Sequence, residues 1–155
     1  MLRDGRSVPI RVSIVEWPTG AIVYDHWLIP PGGVDAVDDW LTHVSGASRE
    51  TTLAKADHTS EQMVEELKGI IGPETIILAH AGVNDFKLIG LKPPRNVLDT
   101  AIVFEHPELI HDPTSLAMLV ERYMPSGLDR RTGHSSVDDA RGTMDLVRVL
   151  VRLGQ

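Results

Sequence analysis

The stretch Gly133-His134-Ser135-Ser136-Val137-Asp138-Asp139-Ala140-Arg141 holds the residue types best suited to chemistry. His134 stands just before an expected helix and Asp139 in or near its first turn, so both side chains can point to one spot above a sheet. A histidine there can take a proton from water, because its ordinary pKa lies near neutrality. An aspartate beside it can hold a divalent cation. A plainer reading is open too: Ser135 or Ser136 caps a helix, Asp138 and Asp139 favour its dipole, and His134 is a loop residue. A second stretch, Leu78-Ala79-His80-Ala81-Gly82-Val83-Asn84-Asp85-Phe86, follows an apolar run and leads into a helix. Asp85 thus falls near a strand-to-helix junction, where α/β sheets commonly place ligands. Its plain reading is that Asn84-Asp85 is a helix start and nothing more.

Positioning these residues requires strands and helices that the pattern supplies. Ile10, Val12 and Ile14 alternate with Arg11, Ser13 and Val15, and Ala21 to Leu28 alternates again with Ile22, Tyr24, His26 and Leu28 on one face. Trp17-Pro18-Thr19-Gly20 between them has turn chemistry, so the pair reads as a hairpin. Thr59-x-x-Gln62 resembles a capping box. Met63, Leu67, Ile70 and Ile71 follow at helical spacing, and Gly72-Pro73 stops the helix. Thr75 to Ala79 and Asn96 to Asp99 suit short buried strands. Asp85 to Leu91 predicts a short helix. Leu116, Leu119, Val120 and Tyr123 mark another, and a last one runs from about Val137 to Leu153 with Ala140, Met144, Val147 and Val151 inward. The order hairpin, helix, strand, helix, strand, helix, helix argues for a mixed sheet with helices packed on it.

The bulk numbers narrow the function classes. The chain has 155 residues, 42% hydrophobic, which suits one compact domain. Its 15 Lys+Arg against 22 Asp+Glu give a net charge of −7. A chain that grips nucleic acid mainly through backbone phosphates is usually basic, so strong non-specific binding is not expected. An acidic enzyme that meets its substrate through bridging metal ions remains allowed. There is no cysteine, which excludes disulfides and thiolate zinc sites. No apolar run approaches the ~20 residues of a membrane helix. His106 and His111 do not have the spacing of a zinc protease, and no phosphate loop or nucleophile elbow occurs. Trp17, Trp27 and Trp40 could stack bases, but partly buried packing is the expectation.

Taken together, the two stretches resemble the second and third motifs of 3′–5′ exonucleases of the DEDD superfamily, in the variant with a catalytic histidine. Gly133, His134, Asp139, Ala140 and Arg141 match one motif, and His80 with Asn84-Asp85-Phe86 matches the other. Asp99-Thr100 matches the strand end that usually lies between them. Further segments agree in order: Arg11 to Val15, Val23-Tyr24-Asp25, Leu28 to Pro31, and Asp39-Trp40-Leu41-Thr42-His43-Val44-Ser45-Gly46. They are similar to the branch of the eukaryotic RNA exonucleases, the interferon-induced exonuclease and the poly(A) nuclease subunit Pan2. The resemblance implies a ribonuclease H-like fold, a mixed sheet flanked by helices. It implies hydrolysis at the 3′ end of single-stranded RNA or DNA with two Mg²⁺ or Mn²⁺ ions about 4 Å apart. Asp85 and Asp139 would be the metal ligands, His134 the general base, and Thr42 and Ser45 would lie near the terminal nucleotide.

The family's first motif, Asp-x-Glu on a central strand just before the segment matching Arg11, is not found: Met1 to Ile10 contains none, and Asp4 is followed two residues on by Arg6. The expectation is one exonuclease-like domain over residues 1–155, N-terminally incomplete, without its first, central strand. A truncated reading of a longer protein, a degenerate domain, or a partner chain that completes the sheet would each account for this. With two of four carboxylates gone, ligand charge for two cations falls short. The competing expectation is therefore a non-catalytic nucleic-acid-binding or protein-interaction module derived from such an exonuclease. The setting expected is intracellular, nucleus or cytoplasm, away from any membrane.

Overall fold

A computed structural model describes residues 1–104, 115–124 and 135–153. The expected hairpin is present. Strand β1 (Arg11–Val15) pairs antiparallel with β2 (Ile22–Leu28), with Ser13 opposite Asp25 and Ile14 opposite Tyr24. A three-residue strand, β3 (Ala56–His58), adds in parallel on the other side of β2. A second sheet holds β4 (Ile77–Ala79) and β5 (Val97–Asp99), which pair in parallel.

Helices α1 (Thr42–Ser45) and α2 (Arg49–Lys55) occupy the link between β2 and β3. Helix α3 (Ser60–Ile70) follows β3, and its N-terminus carries the expected capping box of Thr59 and Gln62. Helix α4 (Gly82–Ile89) leaves β4, α5 (Thr100–Val103) leaves β5, and α6 (Leu116–Tyr123) precedes the long α7 (Ser136–Leu153). One apolar cluster joins Tyr24 and Leu28 of β2 to Met63 and Leu67 of α3. Another joins Leu119 and Val120 of α6 to Leu146 of α7. Among the described residues β1 pairs only with β2 and β4 only with β5. Helix α7 packs against both β1 and β4, so two unpaired strand edges share one helix.

Three expectations need correction. Helix α4 begins at Gly82, not Asp85, because the turn before it is closed from β5 rather than by Asn84-Asp85. On α7, Val151 is half exposed, while Val137, Thr143 and Leu146 are buried beside Met144 and Val147. The stripe is broader than a single-faced helix would show because α6 covers a second side. The elements α1, α2, β3 and α5 were not expected. Trp17 also departs from expectation, being 44% exposed, whereas Trp27 is half-buried between the cations of Arg11 and Lys55, 5.3 and 5.2 Å from its ring centre.

Candidate functional site

The carboxyl ends of β4 and β5 form one knot around Asp99. Its buried carboxylate accepts the backbone N–H of Ala81 (2.8 Å), Gly82 (2.9 Å) and Ala101 (3.0 Å). This holds Ala81 in the left-handed region at φ 56°, an unusual conformation for a residue with a side chain. A Cβ at Gly82 would come within 2.6 Å of the Ala79 Cβ, so the chain can pass from β4 into α4 here only as glycine. Thr100 donates its hydroxyl proton to the Ala79 carbonyl (3.0 Å) and lies 3.0 Å from His80 Nδ1. With that proton committed, Nδ1 of His80 is the N–H that donates to Thr100.

Asp85 projects from the first turn of α4. The residue is largely open to solvent, yet its carboxyl is crowded enough that loss of hydration raises its pKa. The negative charge of Asp99 raises it further, and His80 opposes both. Among the described residues, burial and Asp99 together outweigh His80 at Asp85.

Asp139 lies in the first turn of α7. Its N–H bonds to the Ser135 carbonyl (2.9 Å) and its own carbonyl accepts from Thr143 Oγ1 (3.0 Å). His134 lies outside the described residues. The start of α7 is tied to the hairpin. Arg11 makes two hydrogen bonds to Asp25 (2.7 and 2.8 Å), and Ser13 makes a third (2.7 Å). Ser13 Oγ also lies 2.5 Å from Ser136 Oγ, and Arg11 reaches Ser135 Oγ at 3.5 Å. The Arg11 guanidinium, then Ser13, hold the Asp25 pKa below its ordinary value against the cost of burial. Arg141 bonds to the Gly20 carbonyl (3.2 Å). Sequence reasoning passed over Asp25 as a positioning residue, because its partners stand far from it in the chain.

Thr42 and Ser45 sit together on exposed α1. Their hydroxyls donate to the Ala47 and Trp40 carbonyls (2.7 and 2.8 Å), which shapes their own loop. They are not brought into the knot around Asp99.

The chain is similar to known proteins over nearly its whole length. It is 29% identical to RNA exonuclease 1 of Saccharomyces cerevisiae over 153 residues, 99% of this chain and 27% of that protein. It is 34% identical to RNA exonuclease 4 of Aspergillus fumigatus over 151 residues, 94% of this chain and 45% of that protein. The chain thus spans less than half the length of these relatives. Among solved structures, the Pan2 catalytic unit of Neurospora crassa matches with a TM-score of 0.79 at 23% identity, covering 95% of this chain and 25% of the other. The S. cerevisiae Pan2 pseudoubiquitin hydrolase–RNA exonuclease module, in complex with AAUUAA RNA, matches at 0.78 and 24%, covering 96% and 25%. The fold is therefore the one expected, an α/β arrangement of mixed strands and flanking helices. No protein-family model matches the chain.

Proposed function

We propose that this chain, a homologue of the RNA exonuclease branch of the DEDD superfamily, forms one exonuclease-like domain that hydrolyses single-stranded RNA from its 3′ end. The observation that carries this is Asp85, a carboxyl raised in pKa at the mouth of β4 and β5, where among the described residues Asp99 and His80 are the charged groups acting on it. Such a carboxyl gains from a cation, and its hard oxygen donors suit Mg²⁺ or Mn²⁺. Asp85 and Asp139 would hold the ion. When bound there, a divalent ion offsets the charge of the phosphodiester and of the attacking and leaving oxygens. His134 takes the proton of the attacking water at an imidazole nitrogen. The Asp25–Arg11–Ser13 network holds the start of α7, and so keeps Asp139 in place. Thr42 and Ser45, on exposed α1, would receive the terminal nucleotide, and a nucleoside monophosphate leaves. RNA is preferred over DNA because the relatives and neighbours are RNA exonucleases by name.

Two carboxylates fit one cation better than two. The rest of the ligand set is proposed to arrive on a strand seated between the open edges of β1 and β4, which have N–H and C=O groups to pair with it. Nucleus or cytoplasm is the proposed setting. Among the described residues no helix is long and apolar enough to cross a membrane.

The polarity of attack tests the proposal. Linear RNA with a free 3′ hydroxyl is expected to shorten in Mn²⁺, while a circular RNA of the same sequence stays intact. Nicking of the circle would show an endonuclease and sink the reading.

The open edges of β1 and β4 among the described residues also favour a second reading: a module that binds RNA or a partner's strand and does not cut. RNA retained in a Mn²⁺-dependent complex at full length would establish it.

A further inference from the structure

On the face of the hairpin sheet opposite Asp25, three metal-ligating side chains converge. His26 of β2 has Nδ1 3.0 Å from Asp57 Oδ2, and Asp57 of β3 has its other oxygen 3.0 Å from His58 Nδ1. The two imidazole rings lie 3.7 Å apart between centres. Ligand atoms of all three residues lie within 4.8 Å of one another. His58 Nδ1 is buried and, despite its short distance to Asp57, has no aligned hydrogen bond. A buried imidazole nitrogen without a hydrogen bond, beside two other ligand atoms, leaves a donor that a cation could take.

The surroundings fit this reading. His58 Nε2 lies 3.2 Å from Glu66 Oε1, and the Tyr24 hydroxyl donates to Glu66 Oε2 at 2.8 Å. A carboxylate that takes the far N–H of an imidazole fixes its tautomer and leaves the near nitrogen free to coordinate. Here that nitrogen is Nδ1. Bonds of about 2.0–2.2 Å in a tetrahedral site put ligand atoms roughly 3.4 Å apart, and the three ligand atoms, all within 4.8 Å of one another, can reach that spacing with small side-chain rotations.

We propose that His26, Asp57 and His58 bind one zinc-class divalent ion, with Glu66 orienting His58 and the fourth position open to water. Two imidazoles and one carboxylate suit zinc, or cobalt as its spectroscopic stand-in, over the harder magnesium. The ion clips β3 to β2. Strand β3 has only three residues and its register on β2 is irregular between Trp27 and Leu28, so it gains most from such a clip. The site is independent of the Asp85 and Asp139 proposal and shares no residue with it.

The test titrates the metal-stripped protein with Zn²⁺ against a chromophoric chelator and with Co²⁺ by visible absorption. One ion per chain, strong tetrahedral Co²⁺ bands and a Zn²⁺-dependent rise in Tm are expected. His26→Gln and Asp57→Asn, both at partly exposed positions, are expected to weaken the affinity tenfold or more. Glu66→Gln is expected to weaken it by about tenfold through loss of the oriented imidazole. An Asp85→Asn/Asp139→Asn protein keeps the Co²⁺ spectrum unchanged, which separates this site from the candidate nuclease site. Absence of Zn²⁺ binding, or binding undiminished in both His26→Gln and Asp57→Asn, overturns the proposal and leaves an ordinary histidine–carboxylate network. Circular dichroism of each variant shows that the fold is intact.

Discussion

The surroundings of Asp85 disfavour its ionised form, a cost to stability that the proposed cation would offset. Its folded pKa stands above its unfolded value, so the fold favours the protonated form. That favourable contribution is present at acid pH and is lost as pH rises through the folded pKa. At neutral pH without a cation, the ionised carboxyl is a net cost. Asp85→Asn is therefore expected to leave Tm in EDTA unchanged or raised, while RNA cleavage falls by at least a hundredfold, about 3 kcal/mol of lost charge stabilisation. Paired thermal melts and cleavage rates check this. His58 titrates with its own sign. Asp57 first, then Glu66, raise its pKa above the ordinary value, with His26 and Tyr24 the other groups around it. Its contribution is full below the unfolded pKa of about 6.5 and is lost as pH rises through the folded value. The metal-free protein is expected to lose Tm over that range, and His58→Gln to flatten the loss. Asp85, Asp139 and His134 could be put forward as candidates from the sequence because each stands in a short motif, and their roles stay part of the proposal. The contacts made by Asp25 and Asp99, and the His26–Asp57–His58 group, could not be read there, because the fold brings their partners close.

Among the elements, the β4–α4 crossing depends on Asp99 and Gly82. Asp99→Ala removes the acceptor of three backbone N–H groups, and is expected to cost about 3 kcal/mol in urea unfolding, since orphaned buried donors keep their desolvation penalty. Gly82→Ala forces a contact of 2.6 Å with Ala79, and is expected to cost about 1–3 kcal/mol by the same measure. If either variant unfolds like the parent, the crossing is not held as described. The hairpin, α3, α6 and α7 could be read from alternation, caps and helical spacing. The short pieces could not. Strand β3 has three residues, too few to show a period of two, and it exists because β2 offers an edge. Helix α5 starts where Asp99 caps it, a capping role that the sequence alone leaves beside the Asp-Thr match.

At the scale of the molecule, charge decides how RNA is met. With a net charge of −7, the chain cannot bind chiefly by releasing counterions from phosphates. RNA affinity is expected to collapse in EDTA, to return with Mn²⁺, and to fall only shallowly with added salt. Fluorescence anisotropy across a salt series checks this, and a steep salt dependence that ignores EDTA would contradict it. The two open edges set the other whole-molecule property. Among the described residues, strands β1 and β4 each have one unpaired side while resting on α7, where the proposed strand would sit.

The most direct test of the central claim compares the chain with its Asp139→Ala variant on 5′-labelled single-stranded RNA in Mn²⁺. Stepwise shortening from the 3′ end by the parent and full-length RNA with the variant is the predicted result. RNA left intact by the parent in molar excess, or a ladder that persists in Asp139→Ala, would contradict the assignment of the site.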